Sequence, residues 1–173
     1  MDIGILRFIQ ENFRNEYLTA FFKFITSLGN AGWFWIALAL VLLIFKKTRR
    51  TGTGTLLSLG TGFIITNLFL KNIVRRTRPY DAYSFIVPLI EHPSDFSFPS
   101  GHTCASFAAA FVLYRAFPKK YSWLFLLLAV LIAFSRLYLG VHYPSDVLAG
   151  FVIGAFSACL SDLIMEKINK NRK

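Results

Sequence analysis

The chain has 173 residues, 55% of them hydrophobic, with 19 Phe and a mean hydropathy of +0.52, a profile that excludes an ordinary soluble domain and points to one integral membrane domain over 1–173. Its net charge of +10 does not imply nucleic acid, because the cations stand in short clusters between apolar runs instead of covering one face of a soluble fold. The two cysteines, Cys104 and Cys159, fall inside apolar segments and support neither a disulfide framework nor a CxxC metal site.

Residues 1–16 carry Asp2, Arg7, Glu11, Arg14 and Glu16 without an apolar core and small-residue cleavage site, so no removable signal peptide is expected. The stretch from Tyr17 to Leu28 is short and holds Lys23; it reads as a thin first span or an interfacial helix. Four longer apolar runs follow, at about 31–46, 53–73, 102–118 and 121–139, and a fifth at about 145–165 is broken only by Asp162. Each approaches the roughly 20 residues that a membrane-crossing helix needs. Counting the first stretch, the fold class expected is all-α, an integral bundle of six transmembrane helices.

Lys46, Lys47, Arg49, Arg50, Arg115, Lys119, Lys120, Lys167, Lys170, Arg172 and Lys173 fall on one side of that bundle, and Lys71, Arg75, Arg76, Arg78 and Arg136 on the other. Lysine and arginine accumulate on the cytoplasmic side, which places the first set in the cytosol and the second outside, in a cell membrane. Gly54, Ser58 and Gly62, and Gly150 and Gly154, recur every four residues and permit close helix contact. Trp33, Trp35, Tyr80, Tyr83, Tyr121, Trp123, Tyr138 and Tyr143 lie near span ends, as an aromatic belt would. The long outer connection, about 79–99, carries Pro79, Pro88, Pro93 and Pro99 and is a candidate lid or substrate-entry element.

Three polar stretches meet at outward ends of these spans: KNIVRRTRP at 71–79, PSGH at 99–102 and SRLYLGVHYPSD at 135–146. Ionisable groups beside lipid are costly and are read first as functional. On one helix, Lys71 and Arg78 would share a face with Arg75 between them, and stacked like charges repel unless an anion lies among them. Ser100 is placed to cap a helix starting at Gly101, whose free backbone N–H groups suit phosphate. Pro144 suits the first turn of the last helix. That leaves His142 just ahead of the helix and Asp146 within reach to fix its tautomer, so that an unprotonated ring nitrogen can attack phosphorus. His102, on another helix, is free to protonate a departing oxygen.

Together K-x6-RP, PSGH and SR-x5-H-x3-D, complete and in this order over residues 71–146, resemble the type 2 phosphatidic acid phosphatase superfamily. The resemblance implies a phosphatase with no cofactor and no metal that works through a phosphohistidine. It makes His142 the nucleophile, Asp146 its orienter and His102 the general acid, with Lys71, Arg78, Arg136, Ser100 and Gly101 holding the phosphoryl oxygens. The same motifs resemble vanadate-dependent haloperoxidases, but those are larger and soluble. The compact form resembles bacterial enzymes acting on undecaprenyl diphosphate, phosphatidylglycerol phosphate or phosphatidic acid, and the polyprenyl diphosphate is favoured by that analogy. The expected partners are a membrane lipid phosphate and the bilayer, with no nucleic acid; a lipid A phosphatase and a phosphatase of small soluble esters are alternatives.

Several residues carry plainer readings. Arg75 and Arg76 serve equally well as snorkelling anchors, His92 as a loop residue, and Asn67 as a helix-to-helix hydrogen-bonding group. A metal or haem site from His92, His102, His142 and Asp146 would face repulsion from five nearby cations.

Overall fold

A computed structural model describes residues 2–170, so Arg172 and Lys173 of the larger basic set lie outside the described residues. The described residues are helical, with no strand: α1 (Asp2–Asn12), α2 (Glu16–Leu28), a 3-10 turn (Asn30–Gly32), α3 (Trp33–Ile44), α4 (Arg49–Phe63), a π-helical segment (Ile64–Leu70), α5 (Lys71–Val74), α6 (Pro79–Ala82), α7 (Gly101–Ala116), α8 (Lys119–Tyr138) and α9 (Pro144–Lys170).

The centre is α7, packed on α4, α8 and α9. Its Ala109, Ala110 and Leu113 have no exposed surface and cluster with Trp35, Ala129 and Ile132 of α3 and α8. Small residues set the spacing, as their four-residue recurrence suggests: a Cβ on Gly154 would lie 2.7 Å from the Cys104 carbonyl oxygen, and one on Gly150 2.6 Å from that of Ser100. Hydroxyls add cross-helix bonds, from Ser58 Oγ to Ala108 O at 2.9 Å and from Ser161 Oγ to Gly54 O at 2.7 Å, the kind of polar contact that lipid-embedded helices use where hydrophobic burial gives no drive. Large apolar side chains such as Ile44, Leu148 and Leu163 remain exposed around the bundle, the outer surface that hydrocarbon would cover.

By length and hydropathy, three stretches can each cross a membrane, namely Arg49–Ala82, Lys119–Tyr138 and Pro144–Lys170. A fourth is gained if Glu16–Leu28 and Asn30–Ile44, bent by 44°, count as one. This differs from six separate spans. The first two expected spans form one bent pair because the chain breaks at Ala31 and Gly32, both in the left-handed region, and because α2 is tied to the last turns of α8. Phe22 packs on Phe134 and Tyr138, and Thr26 binds Arg136. Helix α7 has only 16 residues, shorter than a free-standing span, and it is enclosed by its neighbours.

Helix α1 has no counterpart in the expected elements. It lies at the end of the bundle where α5, α7, α8 and α9 present the three motifs: Leu6 packs with Ile86 and Tyr143, and Ile9 with Tyr138 and Leu139. Arg14 then ties this end together, reaching Val87 O at 2.6 Å and Tyr138 O at 3.1 Å. Exposure of Trp33, Tyr121 and Trp123 fits the aromatic belt, but Trp35 and Tyr138 are fully buried. Their polar atoms are used inside, Trp35 on Ser106 Oγ and Tyr138 on Asn15 and Thr19.

Candidate functional site

Lys71 and Arg78 do not share a helix. The π-helical segment ends at Leu70, the short α5 that begins at Lys71 stops at Val74, and Arg75 takes φ +48°. Arg78 is extended, as expected for a residue whose α conformation is disfavoured by a following proline. The chain thus turns back, and both cations still reach one place. The Lys71 ammonium donates to Asp95 Oδ2, and Arg78 Nη2 donates to Asp95 Oδ1 at 2.5 Å. The anion that the clustered cations require is here a carboxylate of the long loop. Burial alone would push the Asp95 carboxyl up, but the Lys71 ammonium and the Arg78 guanidinium bring it down to about 2.

Arg78 is otherwise fixed by backbone, Nε on Asp95 O at 2.8 Å and Nη1 on Val141 O at 2.7 Å. Arg136, 2% exposed, donates from Nη1 to Thr26 Oγ1 at 2.6 Å, while its buried Nε has no protein partner among the described residues. A buried guanidinium N–H without an acceptor is costly, and this one is a donor available to a bound anion.

His142 is buried at the turn before α9, with Nδ1 3.4 Å from Asp146 Oδ2 and Nε2 3.4 Å from Arg78 Nη1. Burial above all, with Arg136 and Arg78 nearby and against the pull of Asp146, lowers its imidazole to about 3, so it is neutral at ordinary pH. Asp146 is fully occupied. Its Oδ2 accepts from Ser97 Oγ at 2.5 Å and from the Tyr143 amide at 2.9 Å, and its Oδ1 accepts from Arg76 Nη1 at 2.6 Å. His102, in the first turn of α7, pairs through Nε2 with Asn30 Oδ1 at 3.0 Å. Ser100 caps α7, accepting from the Thr103 amide and hydroxyl, and is fully buried. Of the PSGH pair, Gly101 lines the cavity described next, and Ser100 Oγ serves the cap.

A cavity of about 1160 Å³ joins these groups. Lys71, Arg78, Gly101, His102, Arg136 and His142 line its polar end under loop residues 89–95. Its apolar part runs between Gly32 and Ile36 on one side and Leu56, Leu59, Gly60 and Phe63 of α4 on the other. Ser100 and Asp146 stand behind this wall, Asp146 in contact with His142. Asn67 lines the cavity beside Gly101, so its surroundings are those of the site. His92 stacks on Tyr80 with ring centroids 4.5 Å apart. Among the described residues, no group of three or more His, Cys, Asp or Glu could hold a metal ion.

The model of the PAP2 superfamily matches residues 51–170, which takes in every one of these motifs. The chain belongs to the PAP2 superfamily. An undecaprenyl-diphosphatase of Sulfolobus acidocaldarius is 35% identical over 73% of this chain and 61% of its own length. Phosphatidylglycerophosphatase B of Bacillus subtilis is 35% identical over 95% of this chain and 82% of its own. The crystal structure of Aquifex aeolicus LpxE superposes on the PAP2 fold seen here with a TM-score of 0.82, at 29% identity, covering 92% of this chain and 93% of that one. The match to the Sulfolobus protein thus spans less than two thirds of that relative.

Four participants carried no motif signal: Thr26, Asn30, Asp95 and Ser97. Each is an ordinary loop or helix residue whose partner is distant in sequence, Asn30 being 72 residues from His102 and Thr26 110 residues from Arg136. Arg76 had an open reading; it bridges Asp146, Asp2 and Ser145 and lies 3.8 Å over the Tyr143 ring. Arg75 instead turns its Nε onto Asn72 O.

Proposed function

We propose that this PAP2 domain is a membrane lipid phosphatase that releases a terminal phosphate from a lipid phosphate or diphosphate through a phosphohistidine. The observation that carries the reading is the cavity itself. Within about 1160 Å³ it joins a cluster of cations and two histidines to an apolar lining from α3 and α4, the pairing of surfaces that a phosphate headgroup with a hydrocarbon chain requires.

In this reading the phosphoryl oxygens lie among Lys71, Arg78, the Arg136 Nε and the α7 N-terminus at Gly101, with Ser100 holding that terminus in place. Fixed donors of this kind stabilise the charge of the transferring group and supply what a divalent ion would otherwise give, so no metal or other cofactor is assigned. His142 keeps its Nδ1 proton toward Asp146 and attacks phosphorus through Nε2, forming the P–N bond as the bond to the leaving oxygen breaks. His102 gives that oxygen a proton. It then takes one from the water that attacks the phosphohistidine, releasing inorganic phosphate and restoring both histidines.

Undecaprenyl diphosphate is the substrate favoured, yielding undecaprenyl phosphate, with phosphatidylglycerol phosphate, phosphatidic acid and lipid A phosphates as the other lipid candidates. The domain is placed in the cell membrane as a multi-pass protein with its site on the extracytoplasmic face, supported by the basic residues at the opposite connections. Phosphate release by purified protein in detergent, from these lipids and from a soluble sugar phosphate, tests the reading. A lipid is expected to exceed the sugar phosphate in kcat/KM by at least about 100-fold, about 2.7 kcal/mol, with activity surviving a chelator. Equal rates on the sugar phosphate, or a metal requirement, overturn it.

A further inference from the structure

Three cations with nearly buried side chains converge on the polar end of the cavity, and folding them together without an anion would be unfavourable. Asp95 answers this. Its carboxylate bonds both Lys71 and Arg78, yet its own side chain is 49% exposed toward the cavity. The backbone around it is pinned independently. Arg78 Nε holds the Asp95 carbonyl, Tyr80 Oη donates to Pro93 O, and two residues later Ser97 binds Arg76 O through its amide and Asp146 through its hydroxyl. The carboxylate can therefore leave the cations by rotation of one side chain, with the loop remaining in place.

A phosphoryl group bound to Lys71 and to Arg78 Nη2 needs the same donors. Nη2 is the Arg78 nitrogen with no backbone partner, because Nε is taken by Asp95 O and Nη1 bonds Val141 O while facing His142 Nε2. Retaining the carboxylate beside a phosphate would set like charges in contact. We propose that Asp95 is an internal ligand of the anion site, the counterion of Lys71 and Arg78 when no substrate is bound, which swings out when a phosphoryl group enters. The proposal rests on the phosphatase reading and adds an affinity-setting residue to it.

Competition by a tethered group has a specific signature. If the carboxylate holds the site most of the time, every anion binds more weakly by the same factor, the reciprocal of the fraction of molecules left competent. The same contact stabilises the protein without ligand. Removing the charge is thus expected to weaken the empty protein and tighten its anions together, two changes that a positioning role would not couple.

The test compares wild type with Asp95→Asn, measuring binding of orthovanadate and inorganic phosphate by calorimetry, and thermal unfolding with and without vanadate. The expected result is at least about tenfold tighter binding of both anions, by a common factor, with a lower Tm for the free variant and a larger rise on adding vanadate. Asp95→Glu, which keeps the charge, is expected to stay within about threefold of wild type. If Asp95→Asn unfolds without ligand, purification in vanadate and the Asp95→Ser variant give the same comparison. Vanadate binding that is unchanged or weaker in the neutral variants, with wild type binding normally, overturns the proposal and leaves the phosphatase reading standing. No vanadate or phosphate binding by any of the proteins overturns both.

Discussion

Arg76 Nη1 lies 2.6 Å from Asp146 Oδ1, on the side of the carboxylate turned away from His142. Asp146 has no exposed surface, so its charge depends on this bond and on those from Ser97 and the Tyr143 amide. Arg76 is in turn held by Asp2 of α1 and by the Tyr143 ring. In the proposed mechanism it acts through Asp146 as a positioning residue. Arg76→Ala is expected to lower kcat at least about tenfold with KM changed less, and to destabilise the protein by about 1–3 kcal/mol; Arg76→Lys should restore part of kcat. Kinetics on the lipid substrate together with thermal unfolding check this, and a change confined to KM would refute it.

Thr26 fixes the third cation. Its hydroxyl accepts from Arg136 Nη1 at 2.6 Å, and valine in its place keeps the shape but removes the acceptor. Thr26→Val is expected to reduce kcat/KM by about 5- to 30-fold, the equivalent of about 1–2 kcal/mol for a misplaced or unpaired buried donor. Steady-state kinetics decide it, and an unchanged kcat/KM would show that Arg136 is held without Thr26.

The neutral state of His142 has two consequences with a definite sign. Its imidazole is lowered to about 3 in the folded protein, against about 6.5 in an unfolded chain. Between those values the unfolded chain carries a proton that the folded one does not. The stability linked to this residue is therefore fully present above about pH 6.5 and falls as pH drops through the window, by at most about 1.4 kcal/mol per unit. Nitrogen NMR of the His142 ring should show no protonation from pH 8 down to pH 5. A titration midpoint near 6.5 would contradict the buried, unprotonated nucleophile.

The local geometry around the motifs was legible in the sequence before the fold. The pairing of His142 with Asp146 and the capping of α7 by Ser100 follow from short spacings around Pro144 and Gly101, where local geometry decides. Lys71 and Arg78 were foreseen as a cluster but not in their arrangement, because the positive φ of Arg75 and the restriction before Pro79 redirect the chain between them. Thr26, Asn30 and Asp95 were invisible, since each is set by tertiary contact between remote segments. The span count was the least legible part. An apolar stretch of 12 residues such as Tyr17–Leu28 has the same composition whether it crosses lipid or leans on α8, and the packing of Phe22 against Phe134 and Tyr138 is contact of the second kind.

That contact bears on topology. Asp2 and Arg14 attach α1 to the same end as the site, whereas six full spans would leave the N-terminus at the other end. With Cys104 and Cys159 replaced, cysteines at Gly4, Ser94 and Lys47, all exposed, distinguish the arrangements. A membrane-impermeant thiol reagent on intact cells is expected to label Gly4→Cys and Ser94→Cys but not Lys47→Cys. Labelling of Lys47→Cys alone would reverse the orientation, and labelling of Ser94→Cys without Gly4→Cys would restore a separate first span.

The central claim is the covalent step at His142, and it is tested most directly by rapid quenching with a lipid substrate labelled in its terminal phosphate, followed by peptide mass spectrometry. The expected result is a base-stable, acid-labile phosphate on His142 that forms and decays within turnover and is absent from His142→Ala, whose turnover should fall by at least about 1000-fold, about 4 kcal/mol. Label on another residue, or phosphate release by His142→Ala at near the wild-type rate, would contradict the account.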